Sequence, residues 1–441
     1  MFCILSQVLP TMTTLAAARP TPLTPNQIRG FIAAWGGWAL DGMDSFIYSL
    51  VLVPALTELL PRSGIEATPG NIGFYGSVLF ALFLIGWGMS MMWGPIADRF
   101  GRVRTLTLTI LCYSLFTLLC GTATNLWQLA AFRVLAGIGI GGEWFIGATF
   151  LAEEWPEDRR KTGAGYMHTG YYFGFFLAAA ANYYVGAKYG WRWMFVVGGT
   201  PALLVTFIRY GVRESATWRE RIAEQRRPAL MEAFAKIFSP LYARRTVLNS
   251  LYLLVSIIGL WAGSVYVPTS VREIAVREGR TAASATQLAS YGTMLLSAGT
   301  ILGCIVLPPL AESLGRRLTL GIYFVVMFFS IAVGFGYIFS LPNALAPFMA
   351  VLFFLGLGGA NFAMYTLWLP EQYSTECRAS AFAFATSIGR FAGAGITFLV
   401  GAGVGHYHTI GIPVAMTSVA FLIGLILLPF GVETRGKALP G

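Results

Sequence analysis

Long apolar runs separated by short polar stretches organise this chain. The runs fall at 29–56, 71–96, 104–123, 126–152, 163–187 and 192–212, then at 245–269, 287–312, 318–340, 343–370, 378–404 and 409–431. Their lengths centre on the ~20 residues that carry an α-helix across a bilayer. The pattern predicts an all-α membrane protein whose twelve transmembrane helices form two pseudo-symmetric six-helix bundles. The only long charged segment, RESATWRERIAEQRRPALMEAFAKIFSPLYARR, lies between the sets and reads as a linker with a short amphipathic helix. The expected divisions are a disordered tail at 1–28, a first bundle at 29–212, a linker at 213–244, a second bundle at 245–431 and a tail at 432–441. Residues 1–18 faintly imitate a signal peptide, but no basic region precedes their apolar part, so a disordered tail, or a true start at Met12, is expected instead.

One stretch anchors the rest: Ala131 to Gly165, AFRVLAGIGIGGEWFIGATFLAEEWPEDRRKTGAG. Its glycines thin one helix face for close approach, and it ends in a charged stop. Half a chain later Glu371, Tyr373, Glu376 and Arg378 repeat Glu153, Trp155, Asp158 and Arg160 at a constant offset of 218. Gly137, Gly139 and Gly142 also fit a dinucleotide fingerprint, but that motif needs a preceding strand. Here it lies inside an apolar helix, so nucleotide binding is excluded.

Composition agrees with a membrane class. Charged residues make up 11% and hydrophobic ones 56%, against roughly 25% and 45–50% in soluble domains. Mean hydropathy is +0.66. The five cysteines have no paired spacing, so neither a disulfide framework nor a metal site is expected, and no cofactor is. His406 and His408 lack the acidic neighbours of a metal site. No Ser/His/Asp or Cys/His set shares one depth, so no enzyme and no catalytic residue are expected. The net charge of +10 is distributed asymmetrically: 22 of the 30 Lys and Arg flank one side of the spans, 6 the other, and Arg133 and Arg390 lie within. That bias places both termini in the cytoplasm and argues against nucleic acid as a partner.

Buried charge is costly unless used, so the charges inside spans carry the functional reading. At ~1.5 Å per residue, Asp41 and Arg390 each lie about 18 Å into their spans, one in each half. Glu143 is equally deep, while Asp44 and Arg133 lie nearer the outer surface. A carboxylate can bind and release a proton, whereas a guanidinium keeps its charge and grips a carboxylate by parallel hydrogen bonds. Asp41, Asp44 and Glu143 are therefore candidates for proton coupling. Arg390 and Arg133 are candidates for holding an anion, with Asn361, Tyr365, His168, Tyr171 and Trp261 lining the site. A static ion pair locking the halves is the alternative.

The loop after the second span reads Gly94-Pro-Ile-Ala-Asp98-Arg99-Phe-Gly101-Arg102, and the one after the eighth reads Pro308-Pro-Leu-Ala-Glu312-Ser-Leu-Gly315-Arg316-Arg317. This duplicated motif resembles the major facilitator superfamily of secondary transporters, over residues 29 to 437. Asp41-Gly42-Met43-Asp44, Gly141-Gly142-Glu143-Trp144, Gly389-Arg390 and Val432-Glu-Thr-Arg-Gly-Lys437 are similar to the sialate and monocarboxylate proton symporters within it. The resemblance implies a solute site between the halves and a gate built from Gly94, Asp98, Arg99, Gly101, Arg102, Glu154, Arg160, Glu312, Arg316, Glu371 and Arg378. It further implies that Asp98 approaches the N-terminus of the eleventh helix, where a carboxylate suits the dipole. For the loop arginines, setting topology alone is the competing reading.

The expectation is a multi-pass, monomeric transporter of the cell membrane, with the lipid bilayer as its surroundings. It would move a small organic anion (monocarboxylate, sialate or sugar acid) together with protons by alternating access. A sugar, polyol or aromatic-acid proton symporter is the nearest alternative, and a non-transporting nutrient receptor a more distant one.

Overall fold

The computed structural model describes residues 21–224, 230–263, 266–407 and 409–440. Within these a few side chains, Trp261 among them, lie outside the description, as do Met12, Cys3 and His408. Every regular element among the described residues is helical, as a bilayer demands of a chain that must satisfy its own backbone. The first half comprises α1 (Pro25–Arg62), α2 (Pro69–Met89, continued through Ser90–Met92 into Trp93–Phe100), α3 (Arg102–Cys120), α4 (Leu126–Glu154), α5 (Glu157–Ala181) and α6 (Trp191–Gly198 with Ala202–Gly211). Two short helices, Ala216–Glu224 and Leu230–Lys236, make the connection. The second half comprises α7 (Ala243–Gly263), α8 (Ala282–Leu314), α9 (Arg316–Gly336), α10 (Leu345–Gly359 with Asn361–Trp368), α11 (Arg378–Tyr407) and α12 (Gly411–Met416 with Val419–Leu427).

Among the described residues nine helices are long and apolar enough to cross a membrane by themselves. The other crossings are α5, laced with polar residues, α6, interrupted after Gly198, and α7. The seventh run does not continue to residue 269 as one helix. A second helix, Val267–Arg277, starts with Pro268 in its first turn, where proline's fixed φ is tolerated and its missing N–H is not needed. Four other helix starts are capped by side chains. Thr24 and Gln27 form a reciprocal capping box, and Thr68, Asn125 and Thr281 each accept from the third amide of their helix.

Close crossings rest on small residues. A Cβ at Gly42 would lie 2.0 Å from the Tyr171 carbonyl, fusing α1 to α5, and one at Gly86 would lie 2.2 Å from that of Val134, fusing α2 to α4. Between the halves, α2 crosses α11 and α5 crosses α8, where Gly165 abuts Cys304 and Pro308. Large apolar side chains such as Leu108, Leu111 and Leu115 of α3 and Leu422, Ile423 and Ile426 of α12 are exposed on the outer surface, a surface suited to lipid and not to water. The linker and both described chain ends lie on one side, called the linker face below: Thr21 donates to Asp158, and Pro440 accepts from Arg378.

Candidate functional site

α1 brings two carboxylates into the interior of the first half. Asp41 and Asp44 are fully buried, as are Glu143 and Arg133 on the neighbouring α4. Neither carboxylate oxygen of Asp41 has a hydrogen-bond partner among the described residues. Its electrostatic surroundings are Glu143, Asp44, the Tyr113 hydroxyl and, from the other half, Arg390. Glu143 accepts from Thr109 at 3.2 Å, and its second oxygen sits where a Cβ at Gly37 would come within 2.1 Å. Only glycine at 37 lets that carboxylate reach α1.

Arg390 is the one membrane-embedded charge of α11. Its guanidinium donates to the Thr386 carbonyl at 2.6 Å and lies over the Trp87 ring at 4.2 Å and the Trp144 ring at 5.9 Å. Such cation–π contacts stabilise a cation without neutralising it. Arg390 and Asp41 share no hydrogen bond, yet each acts electrostatically on the other across the seam. Around it stand stacked rings: Trp38 on Tyr171 at 4.6 Å, Trp38 on Trp144 at 5.5 Å and His168 parallel to Phe362 at 6.2 Å. The His168 Nδ1 is buried without a partner, as is the Asn361 Oδ1, whose amide donates to Gly358. Trp144 also donates to Thr366 of α10 at 2.8 Å, which ties the halves together beside the rings.

Two residues expected at the solute stand elsewhere. Arg133 lies inside the first half, between the Tyr48 and Phe83 rings at 4.4 and 4.0 Å, and pairs with Asp44 at 3.5 Å. The structure does not bring it to Arg390. Tyr365 is committed within the second half, donating to the Tyr252 carbonyl at 2.8 Å and bonded to Ser256 at 2.7 Å.

At the linker face a buried network closes the seam. Asp98 accepts from the amides of Ala379 and Ser380 at the start of α11 (3.3 and 2.9 Å) and from the Ser380 hydroxyl at 2.6 Å. Gly94 allows this approach, since a Cβ there would lie 2.7 Å from that of Ala383. Arg102 grips Glu153 through two bonds of 3.1 and 2.9 Å and pairs with Asp98 at 3.2 Å. Arg378 of the second half reaches the same Glu153 at 2.9 Å. Glu153 is thus the hinge pin of the network, whereas the expected Glu154 faces the linker and accepts from the Ala216 amide. Arg99 lies over Phe100. In the second half Arg316 grips Glu371 at 3.0 and 2.9 Å and Glu312 at 2.7 Å. Glu312 also pairs with Lys161 at 2.6 Å, and Arg160 stands near Glu371 and Glu312.

Charged pairs inside spans, a loop motif present twice and a seam lined by rings fit one family in particular, and comparison decides it. The Major Facilitator Superfamily model matches residues 34–395. The chain belongs to that superfamily. Among curated relatives it is 32% identical to the probable 4-methylmuconolactone transporter of Cupriavidus pinatubonensis, over 94% of this chain and 93% of that one. It is 28% identical to the niacin transporter NiaP of Acinetobacter baylyi, over 91% and 93%. Among solved structures, the proton:xylose symporter XylE bound to 6-bromo-6-deoxy-D-glucose superposes with a TM-score of 0.77 at 17% identity, covering 94% of this chain and 98% of that one. At that identity the likeness shows the fold. As a superfamily member the protein is a multi-pass membrane transporter of small molecules and not an enzyme.

Proposed function

We propose that this transporter carries a small organic carboxylate together with protons, by alternating access at the seam where Arg390 faces Asp41. The observation that carries the reading is Arg390, buried between Trp87 and Trp144 with no ion pair to a carboxylate among the described residues. A solute carboxylate supplies that partner, and Trp38, Trp144, His168, Tyr171 and Phe362 supply flat surfaces for its carbon frame. Asn361 and His168 offer unpaired polar atoms for further substituents. The relatives named for 4-methylmuconolactone and niacin support an acid of modest size. Asp41 takes the proton because it alone among the buried acids faces both Arg390 and the other carboxylates. The network of Asp98, Arg102, Glu153 and Arg378 is the gate, and the linker face is cytoplasmic. Reporter fusions at residue 1, within 213–245 and at 441 test that orientation: all three read cytoplasmic, and one outside signal reverses it.

The main test uses protein reconstituted in liposomes and a panel of niacin, 4-hydroxybenzoate, sialate, lactate, sugar acids and hexoses. Removing a partner from a buried charged contact costs about 2–5 kcal/mol, so Arg390→Gln weakens every anionic substrate roughly 30-fold or more and spares neutral analogues. Asp41→Asn retains counterflow and loses accumulation driven by a pH gradient. Normal anion binding by Arg390→Gln sinks the carboxylate reading in favour of a sugar. Uphill accumulation by Asp41→Asn removes Asp41 as the proton carrier.

A further inference from the structure

Helix α3 contributes nothing to the gate beyond Arg102, yet its inner face is lined with hydroxyls. Thr109, Tyr113 and Thr117 are all buried. They recur every four residues, about 6 Å apart along the helix axis. Each stands beside a different acid: the Thr109 hydroxyl, 2.8 Å from its own helix's Leu106 carbonyl, also lies 3.2 Å from Glu143, Tyr113 faces Asp41, and Thr117 faces Asp44. Among the described residues, the Tyr113 and Thr117 hydroxyls have no hydrogen-bond partner within ordinary geometry, nor do both Asp41 oxygens, one oxygen each of Asp44 and Glu143, and two Arg133 nitrogens. An orphaned polar group in a dry interior costs about 1–3 kcal/mol. Groups without fixed partners in one column are free to change their hydrogen bonding during the cycle.

We infer that α3 is one rail of a proton ladder, with Asp44, Asp41 and Glu143 as its rungs, so that the proton reaches and leaves Asp41 through the interior of the first half and not through the solute seam. The inference rests on the proton-coupled reading above. A hydroxyl suits this duty because it donates to an ionised carboxylate and, after rotating, accepts from a protonated one. Thr109, Tyr113 and Thr117 are positioning residues that serve both states of the acid beside them. At each step one carboxyl O–H breaks as the next forms, and one proton crosses per transit. The charges bearing on the ladder are Arg133 at Asp44, from α4, and Arg390 with Tyr171 at Asp41, from α11 and α5. Tyr48 and Cys120 flank the Arg133 end. The solute meets the ladder only at Asp41.

The test compares two fluxes in the same liposomes. Tyr113→Phe and Thr117→Val keep shape and remove the hydroxyl; Thr117→Ser restores it. For both hydroxyl-free variants, uptake driven by an imposed pH gradient slows at least roughly tenfold, the scale of a lost proton-transfer aid. Counterflow of the best substrate from the panel stays within about twofold of wild type, which also certifies folding, and Thr117→Ser recovers driven uptake. If wild type is driven by the pH gradient and both variants are driven equally well, the ladder is wrong and the proton passes through the seam. Equal losses of counterflow and driven uptake also overturn it. If wild type itself ignores the pH gradient, the proton-coupled reading falls and takes the ladder with it.

Discussion

The two copies of the loop motif are built to one plan and finished differently. In each, a glycine with positive φ (Gly101 at +108°, Gly315 at +89°) turns the chain sharply into the next helix, a conformation that costs glycine little. In each, the following arginine donates to a carbonyl five residues back (Ala97 or Ala311) and holds a glutamate bidentately (Glu153 or Glu371). The amide of that arginine is received by a distant carboxylate, Glu214 in the linker or Glu433 in the tail. The copies part at the motif acid. Asp98 is buried and docks on the start of α11, whereas Glu312 is 44% exposed and reaches Lys161. Likewise Arg378 crosses to Glu153 through one hydrogen bond, while its counterpart Arg160 only stands near Glu371 and Glu312. The first copy is a dry latch across the seam and the second a wet one, and similar letters conceal that inequality.

The largest effect is expected where two arginines share one acid. Glu153→Gln leaves Arg102 and Arg378 buried and facing each other. Breaking such a buried pairing costs roughly 3–5 kcal/mol. Glu371→Gln costs less, because Arg316 alone pairs with Glu371 and retains the partly exposed Glu312, whereas Glu153→Gln also strips Arg378. Thermal unfolding of the two variants in detergent compares them, and equal losses would erase the distinction between dry and wet latches.

Next comes the motif acid itself. Asp98→Asn lowers turnover at saturation by about tenfold, near 1.4 kcal/mol on the barrier, with solute affinity little changed. Glu312→Gln stays within about twofold, as a partly exposed pair warrants. Collapse of affinity with normal turnover in Asp98→Asn would move Asp98 from the gate to the solute site.

The two capping glutamates sharpen the contrast through pH. Burial dominates at Glu214 and holds its carboxyl above the ordinary value, despite Arg102 and the amides of Val103, Ser215 and Arg102. At Glu433 burial also pushes upward, but the amides of Arg316, Arg435 and Arg317 outweigh it and bring the carboxyl below the ordinary value. The signs are therefore opposite. The folded protein holds the Glu214 proton more tightly than the unfolded chain, so this group subtracts stability as pH rises from about 4.3 toward its folded value. Glu433 adds stability above about 4.3 and loses it as pH falls through its lower folded value. Unfolding midpoints of Glu214→Gln and Glu433→Gln across acidic pH should deviate from wild type in opposite senses. Smallest of all, Lys161→Ala should change stability by no more than about 0.5 kcal/mol, and less at high salt.

Run lengths and the duplicated loop made the fold legible from sequence, because membrane helices and a glycine turn depend on local composition. The approach of Asp98 to α11 was legible as well, through the family resemblance. What escaped depends on rotation about a helix axis. Glu153 and Glu154 are adjacent letters, yet about 100° apart on the helix, and only the fold decides which meets Arg378. Arg133 shares a span and a charge with what a solute needs, but its face of α4 turns into the first half. Thr109, Tyr113 and Thr117 carry only their four-residue spacing as a signal, because hydroxyls on an apolar helix usually bond to their own backbone, as Thr109 does to Leu106.

Glu214 and Glu433 also say something about how the gene can be cut. Each half ends in a glutamate that folds back to staple its own loop, so the natural module closes after that residue and not at the last membrane crossing. Expressed separately, a first half stopped at Gly211 or a second half stopped at Gly431 would lack its staple. Pieces that run through Glu214 and Glu433 retain it, which makes those positions the safe limits for split expression, domain exchange or the placement of a tag.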